Sequence, residues 1–408
     1  MTNYVIAEAE RCLTCKNPIC QEGCPIHTPI PQVIKAFREN RLNEAGQMLF
    51  DNNPMSLVTS LICNHADQCE GHCIQGKRGA AIHISDIENY ISDTYFDKMK
   101  IQCAPPNGKM AAIIGSGPAG ITVAILLAKK GYKVTIFESR DKIGGVMQYG
   151  IPDFRLPKTI MDRYYKKLNE IGVRVRPNTT IGGALTVQDL LNDGYGAIFI
   201  GTGVWRPKKI GVKGESLGNV HFGIDYLASP GAFHLGRDVA VIGTGNTAMD
   251  VARTALRHGV ENVTIFSHNN RLSAAELEIG YARVDGCQFE YDMEVVEITE
   301  DGPLFRKKLR DEEGKLIGYA QDLELVKVDS VLICVSQGPK NKIILTTPGL
   351  RGNDRGLLIT EDGMTTVEGL FAAGDVVSGA KSIVAAVAQA KQVAERMDAY
   401  MMRNETKD

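Results

Sequence analysis

The sequence predicts an α/β chain in which a helical, cysteine-rich domain precedes two Rossmann-like domains, the second inserted into the first. Three observations carry this. Seven of the ten cysteines fall between Cys12 and Cys73. A short apolar strand, a glycine turn and a helix occur in that order twice, beginning at Met110 and at Asp238, as paired nucleotide-binding units do. The segment Gly369–Asp375 and the helical pattern Ser382–Met397 return to the first unit only after the second has ended. The 408 residues, 44% hydrophobic and 23% charged, suffice for several domains with cores. The expected division is 1–104 for the cysteine-rich domain, 105–228 and 341–408 for the two parts of the first nucleotide domain, and 229–340 for the insert.

Composition narrows the function. A net charge of -2 provides no basic field for nucleic acid or an anionic membrane. The apolar stretches Ile121–Ala128 and Ile383–Ala388 are far too short for a bilayer. The opening MTNYVIAEAERC lacks the order of a signal peptide, so a cytoplasmic location is expected. Clustered thiols in a reducing compartment point to metal rather than disulfides.

Within the first hundred residues, helical spacing of Val33, Ile34, Phe37, Leu42, Ala45 and Leu49 predicts one helix over Ile30–Phe50, and a second is expected over Ser85–Met99. Pro105 and Pro106 mark a linker.

The first glycine motif is Gly115-Ser-Gly117-Pro118-Ala119-Gly120. Its glycines permit a tight turn and close backbone approach, and the helix that follows offers free N–H groups to a pyrophosphate. Glu138 ends the next strand, where a carboxylate can accept from ribose hydroxyls. Ile143-Gly144-Gly145-Val146 then follows, as in flavoproteins, and Gly374-Asp375 with Ser382 would hold the ribityl and phosphate end. On the likeness of these pieces to flavoproteins, the expected nucleotide is FAD. Asp153, Arg155 and Lys158 either line the flavin site or form an exposed loop.

The second motif, Gly243-Thr-Gly245-Asn246-Thr247-Ala248-Met-Asp250, lies inside the FAD pieces and is expected to bind NADH or NADPH, setting nicotinamide beside isoalloxazine. After its second strand come Ser267, His268, Asn269, Asn270 and Arg271. Neither a ribose-binding carboxylate nor an arginine clamp stands there, a pattern that leans to NADH.

The cysteines read Cys12-x2-Cys15-x4-Cys20-x3-Cys24-Pro25, then Cys63-x5-Cys69-x3-Cys73. Soft thiolates on compact loops suit iron–sulfur clusters. Zinc, with help from His65 and His72, is the competing reading. Seven thiolates cannot fill two four-ligand sites, so an eighth ligand must come from elsewhere.

Taken together, the run Arg11–Pro25, the second cysteine group, Tyr149–Lys158 and Gly243–Asp250 resemble the family of the glutamate synthase small subunit, the N-terminal half of dihydropyrimidine dehydrogenase and the flavin subunit of NADH-dependent ferredoxin:NADP oxidoreductase. The resemblance spans residues 10–397. It implies two 4Fe–4S clusters, one on Cys12, Cys15, Cys20 and Cys73, the other on Cys24, Cys63 and Cys69 with Glu88 as fourth ligand. It also implies an electron-input subunit that takes hydride from NAD(P)H onto FAD and passes single electrons through the clusters to a partner. That partner would be an FMN-containing reductase or synthase, or ferredoxin, in a hetero-oligomer. The nearest likeness is the small subunit of bacterial NAD-dependent dihydropyrimidine dehydrogenase, which serves uracil and thymine reduction; glutamate synthase and a ferredoxin:NAD(P) oxidoreductase are the alternatives.

No side chain is expected to act as acid or base. A thioredoxin-reductase-like enzyme would need an exchange-competent dithiol near the flavin, and Cys103, Cys287 and Cys334 are expected to be inert. Trp205, Lys208 and Lys209 are assigned to a crossover and Arg306-Lys-Lys308 to a solvated turn.

Overall fold

The structure, a computed structural model, describes residues 2–403. These divide into two compact units, one taking in the described residues up to 148, 153–204 and those from 339 onward, the other 149–152 and 205–338.

In the first unit a helical layer precedes a seven-stranded sheet. The single helix expected over Ile30–Phe50 is two, Ile30–Arg38 and Leu42–Asn52. Between them Asn40 takes a left-handed φ of 58°, which stops the first helix; Asn tolerates this conformation better than most residues. The break lets both helices turn apolar faces toward the helix Ile84–Phe96, and Val33, Ile34, Ala45, Leu49, Ile87 and Ile91 are all buried.

The sheet runs Thr360–Glu361, Met364–Thr365, Leu370–Ala372, Tyr195–Ile200, Met110–Ile114, Lys133–Phe137, Arg174–Arg176. Its last five strands are parallel, with Ile114 opposite both Phe137 and Ile200. Parallel central strands are buried on both faces and read as continuous apolar runs, as Ala111–Ile114 and Ala197–Ile200 do.

Side chains from the sheet domain tie the helical layer down. Tyr164, fully buried, donates its hydroxyl to the Pro54 carbonyl at 2.9 Å and sets its ring edge-on to Phe96 at 4.7 Å. The buried Lys167 ammonium donates to the carbonyls of Met99 (2.9 Å) and Asp97 (3.3 Å) and pairs with Glu170.

The second unit holds a five-stranded parallel sheet, in the order Val220–Phe222, Ser330–Ile333, Asp238–Ile242, Asn262–Phe266, Gln288–Glu290. Beside it lies an antiparallel sheet of Met293–Thr299, Gly302–Arg310 and Leu316–Leu325. Arg306, Lys307 and Lys308 thus belong to a nine-residue strand rather than a turn. Ladders to both neighbouring strands hold the segment extended, a long-range pairing that the local charge run does not reveal. Arg206–Pro207 forms a short antiparallel bridge with Gln337–Gly338. Among the described residues no helix is long and apolar enough to cross a membrane.

Candidate cofactor sites

Three distant segments meet at the first glycine turn. The backbone geometry explains each glycine there. Gly115 has φ +97°, and a Cβ on it would fall 2.6 Å from the Gly201 carbonyl oxygen; a Cβ on Gly120 would lie 2.0 Å from the Gly115 oxygen. At Gly117 the nearest atom would be 4.0 Å away. Gly117 caps the helix Pro118–Lys129, so the space beside it faces the free N–H groups of the helix N-terminus. A pyrophosphate fits that position.

Gly145 closes over this turn, since a Cβ on it would meet Gly117 Cα at 2.9 Å. Gly374, at φ +79°, packs against Ala119 from the far end of the chain. Its N–H donates to Gln389 Oε1 at 2.9 Å. Glu138 is buried at the end of the second strand and accepts from the backbone N–H of Ser116 (3.0 Å) and Arg140 (2.8 Å) and from both adjacent serine hydroxyls. Its carboxylate is fixed beside the turn. Ser382 caps the last helix, its hydroxyl accepting from the Ala385 N–H at 3.3 Å. Arg155 lies half-buried in the turn after Asp153, while Lys158 donates to the Met147 carbonyl at 2.9 Å.

Burial raises the Asp375 carboxyl to about 6 from its ordinary 3.8, partly offset by the Lys381 N–H, which donates to it, and by the Lys381 charge. The folded chain therefore binds this proton more tightly than the unfolded chain. The stabilising contribution is complete below pH 3.8 and lost as pH rises through about 6. In the flavin-free protein, Asp375→Asn is expected to stabilise by up to about 3 kcal/mol at pH 7.5 and to make no difference near pH 3.5. Urea unfolding at the two pH values checks this; equal gains at both would contradict it.

The second glycine turn repeats the geometry. A Cβ on Gly243 would meet the Cys334 carbonyl oxygen at 2.5 Å, whereas one on Gly245, which caps the helix Asn246–Arg257, would come no closer than 3.8 Å to Ser273 Oγ. The loop 273–275 is anchored over the turn: Ser273 and Ala274 donate N–H groups to the Thr244 carbonyl, and Ala275 donates to Asn246 Oδ1, all at 2.8 Å. Thr247 lies in the first turn of that helix, and Ala248 is fully buried, as close helix–sheet packing requires.

At the tip of the following strand, Ser267 is buried, donating to the Arg271 carbonyl (3.0 Å) and accepting from the Asn269 N–H (3.1 Å). His268 is exposed. Its carbonyl accepts from Lys308 Nζ at 2.8 Å, so the antiparallel sheet delivers a cation to this tip. Sequence spacing carried no signal for that, because Lys308 arrives by strand register.

The cysteines segregate into two groups. Cys12, Cys15, Cys20 and Cys73 bear on one another electrostatically: burial first, then the neighbouring thiols, push Cys20 up to about 12 and Cys12 upward as well. Cys24, Cys63, Cys69 and Glu88 form the other group. Burial and then the Glu88 charge raise Cys63 and Cys69, while burial and Glu70 raise Glu88 to about 7. Among the described residues no three His, Cys, Asp or Glu side chains converge closely enough to hold a single metal ion. Both groups concentrate potential anions in partly desolvated surroundings, and a cationic core that binds soft thiolates relieves that cost.

Both histidines considered for zinc are engaged with carbonyls, His65 Nε2 with Ser60 at 3.2 Å and His72 Nδ1 with Gln68 at 2.6 Å. Thr28, Asn52 and Lys391, which surround Cys24, carried no motif and are visible only in three dimensions. Cys287 and Cys334 are buried, and burial raises Cys287 to about 12 and Cys334 further, which suits inert thiols better than a thiol–disulfide couple.

Two glycine-capped nucleotide turns and a bipartite thiolate array define a flavin- and iron–sulfur-containing NAD(P)H oxidoreductase. The sequence profile of pyridine nucleotide-disulphide oxidoreductases matches residues 109–390, and that of dihydropyrimidine dehydrogenase domain II, 4Fe-4S cluster, matches residues 1–100. The chain belongs to the pyridine nucleotide-disulphide oxidoreductase family, and its cofactors are FAD, NAD(P)H and 4Fe–4S. It is 32% identical to the glutamate synthase [NADPH] small chain of Halomonas elongata over 97% of this chain and 90% of the relative. It is 29% identical to that of Escherichia coli K12 over 95% of this chain and 90% of the relative. Among solved structures, Mycobacterium tuberculosis FprA in complex with NADPH superposes with a TM-score of 0.61 at 17% identity, covering 74% of this chain and 86% of FprA. The thioredoxin reductase of T. acidophilum superposes with a TM-score of 0.56 at 22% identity, covering 71% of this chain and 97% of its own. Both likenesses concern the fold.

Proposed function

We propose that this chain is an electron-input subunit, with residues 1–104 carrying two 4Fe–4S clusters and the two nucleotide domains carrying FAD and NAD(P)H. FAD held at these sites would supply the exchange between two-electron and one-electron chemistry, and iron–sulfur groups on the cysteines would supply a one-electron path. The chain's own residues hold and orient. Gly117 and Gly245 leave room for pyrophosphates at helix N-termini, Glu138, held beside the first turn, would accept from a ribose hydroxyl, and the two cysteine groups would supply ligands, the second completed by Glu88.

One observation carries the reading most strongly. The second group is tied to the flavin domain through Asn52 and Lys391, whose Nζ donates to Asn52 at 2.6 Å and 3.2 Å. The first group instead reaches the surface, where Leu13 (52% exposed) and Ile19 (44%) flank Cys12, Cys15 and Cys20. A cleft of about 1010 Å³ beside Cys15 is lined by Lys35 and Arg38. An inner cluster next to the flavin and an outer one at the surface suit electron delivery to another chain.

The glutamate synthase relatives support a synthase-type partner. A pyrimidine-reducing partner is the second reading, favoured by Ser267 and His268 standing where a pair of arginines would clamp a 2′-phosphate. Anaerobic co-purification decides between them: the partner is sized, its flavin identified, and the complex assayed with NADH and NADPH against 2-oxoglutarate plus glutamine and against uracil. The electron-input reading predicts that NADH or NADPH bleaches both flavin and cluster absorbance in the isolated chain. Bleaching of the flavin alone would overturn it.

A further inference from the structure

Cys24 is buried, and its Sγ lies 3.3 Å from the hydroxyl of buried Thr28. The direction of that hydrogen bond follows from its neighbours. Lys391 Nζ, which can only donate, faces both the carbonyl and the side-chain Oδ1 of Asn52. This fixes the amide so that Asn52 Nδ2 points away and donates to Thr28 Oγ1 at 3.2 Å. The Thr28 oxygen already accepts, so its proton is free for the sulfur. A cluster-bound Cys24 is a thiolate with no proton of its own, and Thr28 must then be the donor.

We propose that Thr28 is a positioning residue that raises the reduction potential of the cluster held by Cys24, and that Asn52 and Lys391 lock its hydroxyl in the donating orientation. Hydrogen bonds to cluster sulfurs stabilise the reduced, more negative state and so raise the potential. A buried setting strengthens the effect, because little water competes for the sulfur. The Lys391 charge at the far end acts in the same direction. The relay spans 339 positions of sequence between Asn52 and Lys391 and links a helix of the flavin domain to Cys24 through Thr28. The proposal rests on Cys24 being a ligand of the second cluster.

The test is an anaerobic redox titration of the full-length holoprotein, read by electron paramagnetic resonance, with iron and sulfide assayed on every sample. Thr28→Val keeps the shape and removes the donor; it is expected to move one of the two cluster midpoints to more negative values and leave the other in place. Thr28→Ser is expected to restore the wild-type midpoint. Lys391→Met is expected to shift the same midpoint in the same direction. Unchanged midpoints in Thr28→Val at full iron and sulfide content would overturn the relay. Equal shifts in Thr28→Ser and Thr28→Val would overturn it too, since packing would then be responsible. Cys24→Ala separates the underlying assignment: if both cluster signals survive in it, the ligand set is wrong and the relay falls with it.

Discussion

Gly120→Val is expected to yield a protein without flavin, destabilised by about 3 kcal/mol. The added Cβ would fall 2.0 Å from the Gly115 carbonyl oxygen and 3.3 Å from Ile113 Cγ2. The helix cannot retreat, because Ile121, Ala124 and Ile125 are fully or almost fully buried behind it. Gly117→Ala is the informative companion. Its Cβ meets nothing nearer than 4.0 Å, so the flavin-free fold should unfold within about 0.5 kcal/mol of wild type. The methyl does occupy the space assigned to the pyrophosphate, and FAD affinity is expected to fall by at least about tenfold, a loss of ~1.4 kcal/mol. Urea unfolding of the flavin-free proteins and flavin titration measure the two quantities separately. A Gly117→Ala protein that binds FAD normally would place the pyrophosphate elsewhere.

The second large effect concerns two cysteines four residues apart. Cys69 bears on Cys24, Cys63 and Glu88, whereas Cys73 bears on Cys12 and Cys20. Cys69→Ser and Cys73→Ser are therefore each expected to lose about half of the iron, but from different clusters. With Cys73→Ser, NAD(P)H should still reduce the flavin and the remaining cluster, while delivery to the partner stops. With Cys69→Ser the remaining cluster should no longer follow the flavin. Iron analysis and stopped-flow absorbance read these outcomes. Loss of the same spectroscopic signal in both variants would contradict the division into two groups.

Much of this was legible because it is local. A glycine turn between a strand and a helix is written in consecutive residues, and so is a cysteine spacing. Glu88 is the intermediate case. Its own neighbours, Asp86 and Asn89, mark an ordinary helix surface, and only the family resemblance singled it out; the structure sets it against Cys63 and Cys69. Gln389, Lys391 and Asn52 left no trace, since each is a polar helix residue whose partner is far away in sequence. The Asn40 break was missed for a different reason: apolar periodicity continues across it, and only the backbone conformation shows that the axis changes. Lys308 illustrates register, because a strand's pairing decides which loop its side chain reaches.

The anchoring of Met99 and Pro54 by Lys167 and Tyr164 bears on modularity. An iron–sulfur segment of a hundred residues looks like a cassette that could be cut out and grafted elsewhere. Excision would instead strip a buried ammonium of two of its three acceptors and a buried phenol of its only hydrogen-bond partner among the described residues. The truncated remainder would lose hydrogen bonds worth about 1 kcal/mol each and expose the apolar surface that Tyr164 buries against Phe96. A scanning calorimeter should accordingly record one cooperative transition for the cysteine-rich and flavin-binding parts, and splitting the gene between them should give insoluble halves rather than two working pieces.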